Sequence, residues 1–203
     1  VSEISWLESA VALLAETSWC HLPGVLPPGM IHRLNEWIDK EYKLGHFKLA
    51  GIGKGVRQQS DHSIRRDQTL WLPAHSDEKP IVELQACIES LRLTLNRELF
   101  SGLESFEGHF SIYESGSFYK RHVDAFRDDD SRSITFIIYL NESWRAGDGG
   151  ELMLETGSGS DVVIQPTPGT IVLFGSRKFY HEVLPARCER RSFTGWFKVR
   201  SLK

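Results

Sequence analysis

The sequence predicts an α+β domain, with helices first and a β barrel or sandwich after them. Three observations carry that prediction. Apolar residues keep a helical spacing through the N-terminal half, the period changes to two from Phe106 onward, and clusters of glycine and proline cut the second half into short segments. At 203 residues the chain suits one compact domain. Residues 1–104 read as helical support plus a loop, and residues 105–200 as the β core.

The chain opens with Ile4, Leu7, Val11 and Leu14, the spacing of a short amphipathic helix that ends before Trp19. After the turn Pro27-Pro28-Gly29 a second helix fits Ile31, Leu34, Ile38 and Tyr42. A third, after Pro80, fits Ile81, Leu84, Ile88, Leu91, Leu95 and Leu99. Residues 51–67, glycine-rich and charged, hold too few apolar side chains to enter a core. They read as a mobile loop or hairpin over a site, with a plain surface loop as the equal alternative. Phe110 and Ile112, then Ile134, Phe136 and Ile138, Val162 and Ile164, Ile171 and Leu173, and Phe193, Phe197 and Val199 mark short strands. The turns Gly147-Asp148-Gly149-Gly150, Gly157-Ser158-Gly159-Ser160 and Pro166-Thr167-Pro168-Gly169 part several of them. Strands this many and this short argue for a sandwich or barrel with the helices on one outer face.

Composition narrows the class further. Hydrophobic residues make up 40%, charged residues 25%, and the formal charge is -3. That balance gives no bulk affinity for nucleic acid or for an anionic membrane. The longest like-charge run, residues 128–130, reads as a solvated loop. Cys20, Cys87 and Cys188 are odd in number and lack zinc or disulfide spacing, so each reads as a small core residue in a reducing compartment. No segment approaches the roughly twenty apolar residues that span a bilayer. Glu3, Glu8 and Glu16 stand where a signal peptide would be basic. The expectation is a cytoplasmic protein without membrane or nucleic-acid partners.

His122 and Asp124 lie at the end of residues 118–123, which read as extended. In a strand, side chains at i and i+2 share a face, so the imidazole and the carboxylate can chelate one ion. A hydrogen-bonded surface pair is the plain alternative, since His-x-Asp occurs often by chance. His181 is the third candidate, again in a strand-like segment, Phe179-Tyr180-His181-Glu182-Val183. Two histidines and a carboxylate form the facial triad of Fe(II) oxygenases, and the same set can hold a catalytic zinc. Arg190 and Arg191 follow on the next strand. A guanidinium can grip a carboxylate bidentately, which is what anchoring the far end of 2-oxoglutarate requires. Alternation puts Arg190 with Ser192, Thr194 and Trp196, and Arg191 with Phe193, Phe197 and Val199. Parity alone leaves open which face lines the site.

These residues resemble the prolyl 4-hydroxylase branch of the Fe(II)/2-oxoglutarate oxygenases: His122-x-Asp124, His181, and an arginine nine positions on. Arg121-His122-Val123-Asp124, Tyr139-Leu140-Asn141, Gly149-Gly150-Glu151-Leu152, His181-Glu182-Val183 and Trp196 look like stretches of the oxygen-sensing prolyl hydroxylases of animals and their bacterial relatives. The resemblance covers residues 51–199. It implies a double-stranded β-helix, with Fe(II) held by His122, Asp124 and His181, 2-oxoglutarate and O₂ as cosubstrates, and ascorbate as a reductant. It also implies that Arg190 pairs with the cosubstrate carboxylate, that Tyr139 donates a hydrogen bond to it, that Tyr113 lies near the iron, and that Thr194 and Trp196 line the pocket. Ile64-Arg65-Arg66-Asp67 followed by Trp71 looks like the substrate-covering loop and strand, with Arg65 and Asp67 shaping a peptide groove and Arg132 facing it. Between Tyr113 and His122 the chain is one residue shorter than the animal enzymes, which bears on where Tyr113 sits. A carboxylate at Asp124 favours hydroxylation, because the resembling halogenases carry a small residue there.

The implied substrate is a prolyl residue in a protein, with elongation factor Tu as a candidate target if the chain is bacterial. Rival readings are a hydroxylase of a free amino acid or other small molecule, a nucleic-acid dealkylase, which the absent basic surface disfavours, and a zinc hydrolase or non-catalytic metal-binding barrel.

Overall fold

A computed structural model describes residues 3–51, 61–124, 130–157 and 161–201, with side chains from Trp6 onward. Most of the expected loop (52–60), two residues of the acidic run (Asp128 and Asp129) and the turn residues 158–160 lie outside this set.

Helices α1 (Glu3–Thr17), α2 (Pro28–Lys43) and α3 (Lys79–Leu99) form a layer on one side of the molecule. On α1 the fully buried stripe is Trp6, Ala10 and Leu14, with Leu7 and Val11 partly buried beside it. Helix α2 starts on Pro28, whose fixed φ suits the first turn, and places Lys40 and Lys43 against the negative end of its dipole. Its expected core residue Tyr42 is 41% exposed: its ring meets Phe47 and its hydroxyl lies by Glu114 and Gln68. Helix α3 buries Ile81, Leu84, Ile88, Leu91 and Leu95. It ends where Phe100 turns left-handed (φ 51).

The strands are β1 (Trp19–Leu22), β2 (Lys48–Leu49), β3 (Gln68–Trp71), β4 (Leu103–Tyr113), β5 (Tyr119–His122), β6 (Arg132–Tyr139), β7 (Leu152–Leu154), β8 (Val162–Ile164), β9 (Ile171–Gly175), β10 (His181–Val183) and β11 (Arg190–Val199). They build two antiparallel sheets. A seven-stranded sheet runs β1-β9-β6-β11-β4-β3-β2 and a four-stranded sheet runs β5-β10-β7-β8. This is the double-stranded β-helix, and the N-terminal half is less helical than expected because β1, β2 and β3 complete the large sheet.

Two apolar layers result. Phe110, Ile112, Phe136, Ile138, Ile171, Leu173, Phe193 and Phe197 face the helices. Tyr113, Ile137, Tyr139, Leu152, Leu154, Ile164, Val172 and Phe174 fill the space between the sheets. The alternating residues that mark strands in the sequence are therefore mostly the outer, helix-covered face. Cys20 is buried there, Cys87 is half-buried, and Cys188 is exposed just ahead of β11, so only the first is a core residue. Among the described residues no helix is long and apolar enough to cross a membrane.

The helix-facing layer holds a tight spot. Gly195 of β11 and Gly108 of β4 are cross-strand partners, and the Phe106 ring lies over both. A Cβ on Gly195 would overlap that ring and come 2.8 Å from the Glu107 carbonyl oxygen. Gly195→Ala is expected to cost about 1–3 kcal/mol, the range for overpacking. Urea unfolding should report it as a lower midpoint at an unchanged slope.

Candidate active site

The register of the small sheet brings the sequence-distant histidines together. His181 of β10 pairs directly with His122 of β5, and their ring centroids are 4.2 Å apart. Asp124, just past β5, lies between them: Oδ1 is 3.5 Å from His122 Nε2 and Oδ2 is 3.6 Å from His181 Nε2. Ligand atoms of all three lie within 4.8 Å of one another. Each imidazole turns Nδ1 to a carbonyl, His122 to Lys120 O at 2.8 Å and His181 to Phe179 O at 3.3 Å. An Nδ1–H donated there leaves Nε2 as the lone-pair side facing Asp124. The Thr135 hydroxyl donates to Asp124 Oδ2 at 2.8 Å and is itself 2.9 Å from Ser176 Oγ. That pair of buried hydroxyls orients the carboxylate.

The protonation states suit a cation. Burial works to raise the Asp124 carboxyl, but the His181 and His122 imidazoles outweigh it and hold the group well below the carboxylate range. Burial pushes His181 down to about 4. At neutral pH the site thus presents an anion beside a neutral imidazole donor, the state that a divalent metal requires of its ligands.

On the large sheet β11 turns Arg190, Ser192, Thr194 and Trp196 inward and Arg191 outward, which settles the open parity: the apolar face is the one under the helices. Arg190 is 2% exposed. Its Nε–H donates to Gly150 O at 2.8 Å, its Nη1 to Ser192 Oγ at 3.2 Å, and its guanidinium carbon lies 4.9 Å and 5.0 Å from the ring centroids of Tyr113 and Tyr139. None of these described partners is anionic. A buried guanidinium with no anion among its described partners can receive a carboxylate. The Tyr139 hydroxyl beside it is buried, feels the Arg190 charge, and has no well-aligned hydrogen-bond partner among the described residues. Gly150 (φ 65) makes the close approach possible, since a Cβ there would stand 2.9 Å from Arg190 Cδ. Tyr113 pairs with Arg190 in register, so the shorter spacing to His122 does not displace it from the pocket.

A cavity of about 570 Å³ joins these parts. From Arg190 it passes the triad and opens at Trp71, which is 52% exposed. Arg65, Arg132, Thr194 and Trp196 line it. Asp67 does not: it is fully buried, holding Arg65 bidentately at 2.7 and 2.6 Å. Arg132 stacks 3.5 Å over the Trp196 ring and pairs with Glu107.

His109 is a lining residue that sequence reasoning missed, although it shares the parity of Ser111 and Tyr113 on β4. It is stacked at 5.5 Å on Trp196 and lies 5.2 Å from Trp71. Its Nδ1 has no hydrogen-bond partner among the described residues. Burial, helped by the Arg65 charge, pushes its imidazole down to about 4 from an ordinary 6.5. An imidazole depressed by folding contributes its stability above the unfolded value and loses it as pH falls toward the folded one. The metal-free protein should therefore lose roughly 2–3 kcal/mol of unfolding free energy per such imidazole between about pH 6.5 and 4. His109→Phe should flatten that slope in urea titrations, and a slope equal to the wild type would contradict the assignment.

Fold and site together define an enzyme class: a jelly-roll barrel that can present a cation to a cosubstrate held at the far end of the same cavity. A sequence profile of the 2OG-Fe(II) oxygenase superfamily matches residues 108–198. The chain is 28% identical over 201 residues to human prolyl hydroxylase EGLN3, covering 94% of this chain and 82% of that protein. Among solved structures, a Pseudomonas putida prolyl-4-hydroxylase is 36% identical with a TM-score of 0.86, covering 96% of this chain and 99% of that one. A prolyl hydroxylase from Trichoplax adhaerens, in complex with a hypoxia-inducible-factor oxygen degradation domain peptide fragment, is 26% identical with a TM-score of 0.86 over 97% of this chain and 90% of that one. The chain belongs to the 2-oxoglutarate- and Fe(II)-dependent oxygenases, in the prolyl hydroxylase family. It is a dioxygenase that uses Fe(II), 2-oxoglutarate and O₂.

Proposed function

We propose that the chain hydroxylates a prolyl residue in a protein or peptide, releasing succinate and CO₂. The observation that carries this reading is the cavity mouth, where Trp71, His109 and Trp196 form an aromatic wall open to solvent through Trp71. Aromatic-lined grooves take extended proline-containing segments, whose stiff backbone loses little entropy on docking. Relatives named as prolyl hydroxylases, one with a peptide bound, support the same substrate class.

In this reading His122, Asp124 and His181 hold Fe(II), and Arg190 takes the far carboxylate of 2-oxoglutarate with the Tyr139 hydroxyl as second donor. Tyr113, Thr194 and Trp196 wall the cosubstrate, while Arg132 and Arg65, the latter fixed by Asp67, face the substrate side. With metal and cosubstrate bound, O₂ activation at iron supplies the oxidising power for C–H hydroxylation. The residues of this chain orient the reactants and keep bulk water from the buried end of the cavity.

The test is incubation of the protein with Fe(II), 2-oxoglutarate, ascorbate and candidate substrates, including elongation factor Tu, free proline and proline-bearing peptides. Succinate formation and a single added oxygen on a prolyl residue of a peptide are expected. Turnover that is stimulated by free amino acids and not by any peptide would replace the reading with a small-molecule hydroxylase.

A further inference from the structure

His181 and Asp124 are held by the protein interior: the His181 ring meets the Phe174 ring edge at 4.8 Å, and Asp124 accepts from Thr135. His122 has no such support. It ends β5, an outer strand of the small sheet, and its side chain is 17% exposed. Its hydrogen bond to the carbonyl two residues back fixes a tautomer but does not by itself set the ring plane.

A stack of side chains defines it instead. Tyr119 lies on His122 with centroids 3.6 Å apart and planes 17° from parallel. The Arg65 guanidinium carbon is 4.3 Å from the Tyr119 centroid. Arg65 and His122 thus both pack on the Tyr119 ring. Arg65 is in turn clamped by the fully buried Asp67. Tyr119 and His122 are three residues apart, a spacing that puts side chains on opposite faces of a regular strand. They meet because β5 is bulged: Tyr119 pairs with Val183 and His122 with His181, so three steps of β5 oppose two of β10. A bulge of this kind re-aims a side chain beside a site. An isolated bridge from Arg65 to Tyr119 then closes the stack against the outer edge of β5.

We propose that Asp67, Arg65 and Tyr119 are positioning residues for His122, a chain of contacts that sets the plane of the exposed metal ligand. Arg65 and Asp67 thereby act on the metal as well as on any substrate. The inference rests on His122 being a metal ligand.

The test is Mn(II) affinity, measured by titration calorimetry without 2-oxoglutarate or substrate, on the full chain. Loss of an outer group that orients a ligand typically weakens metal binding 10- to 100-fold. Tyr119→Leu is expected to bind Mn(II) about 10-fold more weakly, while Tyr119→Phe, which keeps the ring and loses only the hydroxyl's contact with Arg65, should bind more tightly than Tyr119→Leu. The paired change Arg65→Met with Asp67→Leu removes the buried ion pair without leaving a lone charge and should weaken binding in the same direction. It carries the test should Tyr119→Leu not fold. Wild-type affinity in a folded Tyr119→Leu or in the paired variant would overturn the proposal. Failure of the wild type to bind Mn(II), or no loss in His122→Ala, would instead overturn the ligand assignment beneath it.

Discussion

Asp124→Ala is expected to give a folded protein that no longer takes up a divalent cation and no longer turns over 2-oxoglutarate. The carboxylate is the only anionic donor of the candidate triad, it is 8% exposed, and its neighbour His181 is neutral at pH values well above 4. Removing one partner of a buried charge pair costs about 3–5 kcal/mol, which is roughly a 10²- to 5 × 10³-fold loss of metal affinity. The fold should survive at a lower metal-free stability, because the change removes a buried anion that the His181 and His122 imidazoles and the Thr135 hydroxyl support. Two measurements separate site from fold. Thermal unfolding without metal should remain one cooperative transition at a lower temperature than the wild type, while the increase in unfolding temperature that Mn(II) gives the wild type by mass action should vanish. A variant that keeps the Mn(II)-dependent increase would remove Asp124 from the ligand set.

The triad was legible because its signal is local in the right way. His122 and Asp124 share a face by simple alternation, and His181 sits in a segment whose extended character is plain. Strands β4, β6, β9 and β11 were equally legible, since one face of each packs on helices and the period of two survives. What the pattern could not convey depends on pairing between distant segments. Trp19–Leu22 has no alternation of its own and is a strand because it pairs with Phe174 through Ile171. The three-residue β7 sits in the small sheet and carries too few positions for any period to be read, whereas the equally short β8 shows through Val162 and Ile164. The bulge in β5 hides the Tyr119–His122 stack, because alternation predicts opposite faces. His109 was missed for a different reason: an imidazole beside Phe110 reads as a polar residue pointing outward, whereas this sheet has its outer face under helices and its inner face around a polar cavity. The same inversion made the role of β11 ambiguous until the two faces were assigned.

That assignment leads to the sharpest contrast between neighbouring residues. Arg190→Ala is expected to raise the 2-oxoglutarate concentration needed for half-maximal turnover by roughly 30- to 5000-fold, the cost of truncating a buried, hydrogen-bonded charge from its partner, about 2–5 kcal/mol. Arg191→Ala should leave it unchanged. The two guanidiniums leave the same strand one residue apart and enter different surroundings. Arg190 stands between Tyr113 and Tyr139 at the closed end of the cavity, with no described carboxylate to neutralise it. Arg191 reaches over the helix side, where Asp39 at 2.8 Å and Glu189 at 2.7 Å already satisfy it, beside a separate, acidic cleft of about 400 Å³. Partly exposed pairs of that sort contribute about 0–1 kcal/mol to stability, so Arg191→Ala should move the unfolding midpoint slightly and the kinetics not at all. Binding of 2-oxoglutarate to the metal-free and Mn(II)-loaded variants, followed by calorimetry, checks the contrast without relying on turnover. A larger cosubstrate defect in Arg191→Ala than in Arg190→Ala would mean that the carboxylate does not reach the buried end of the cavity.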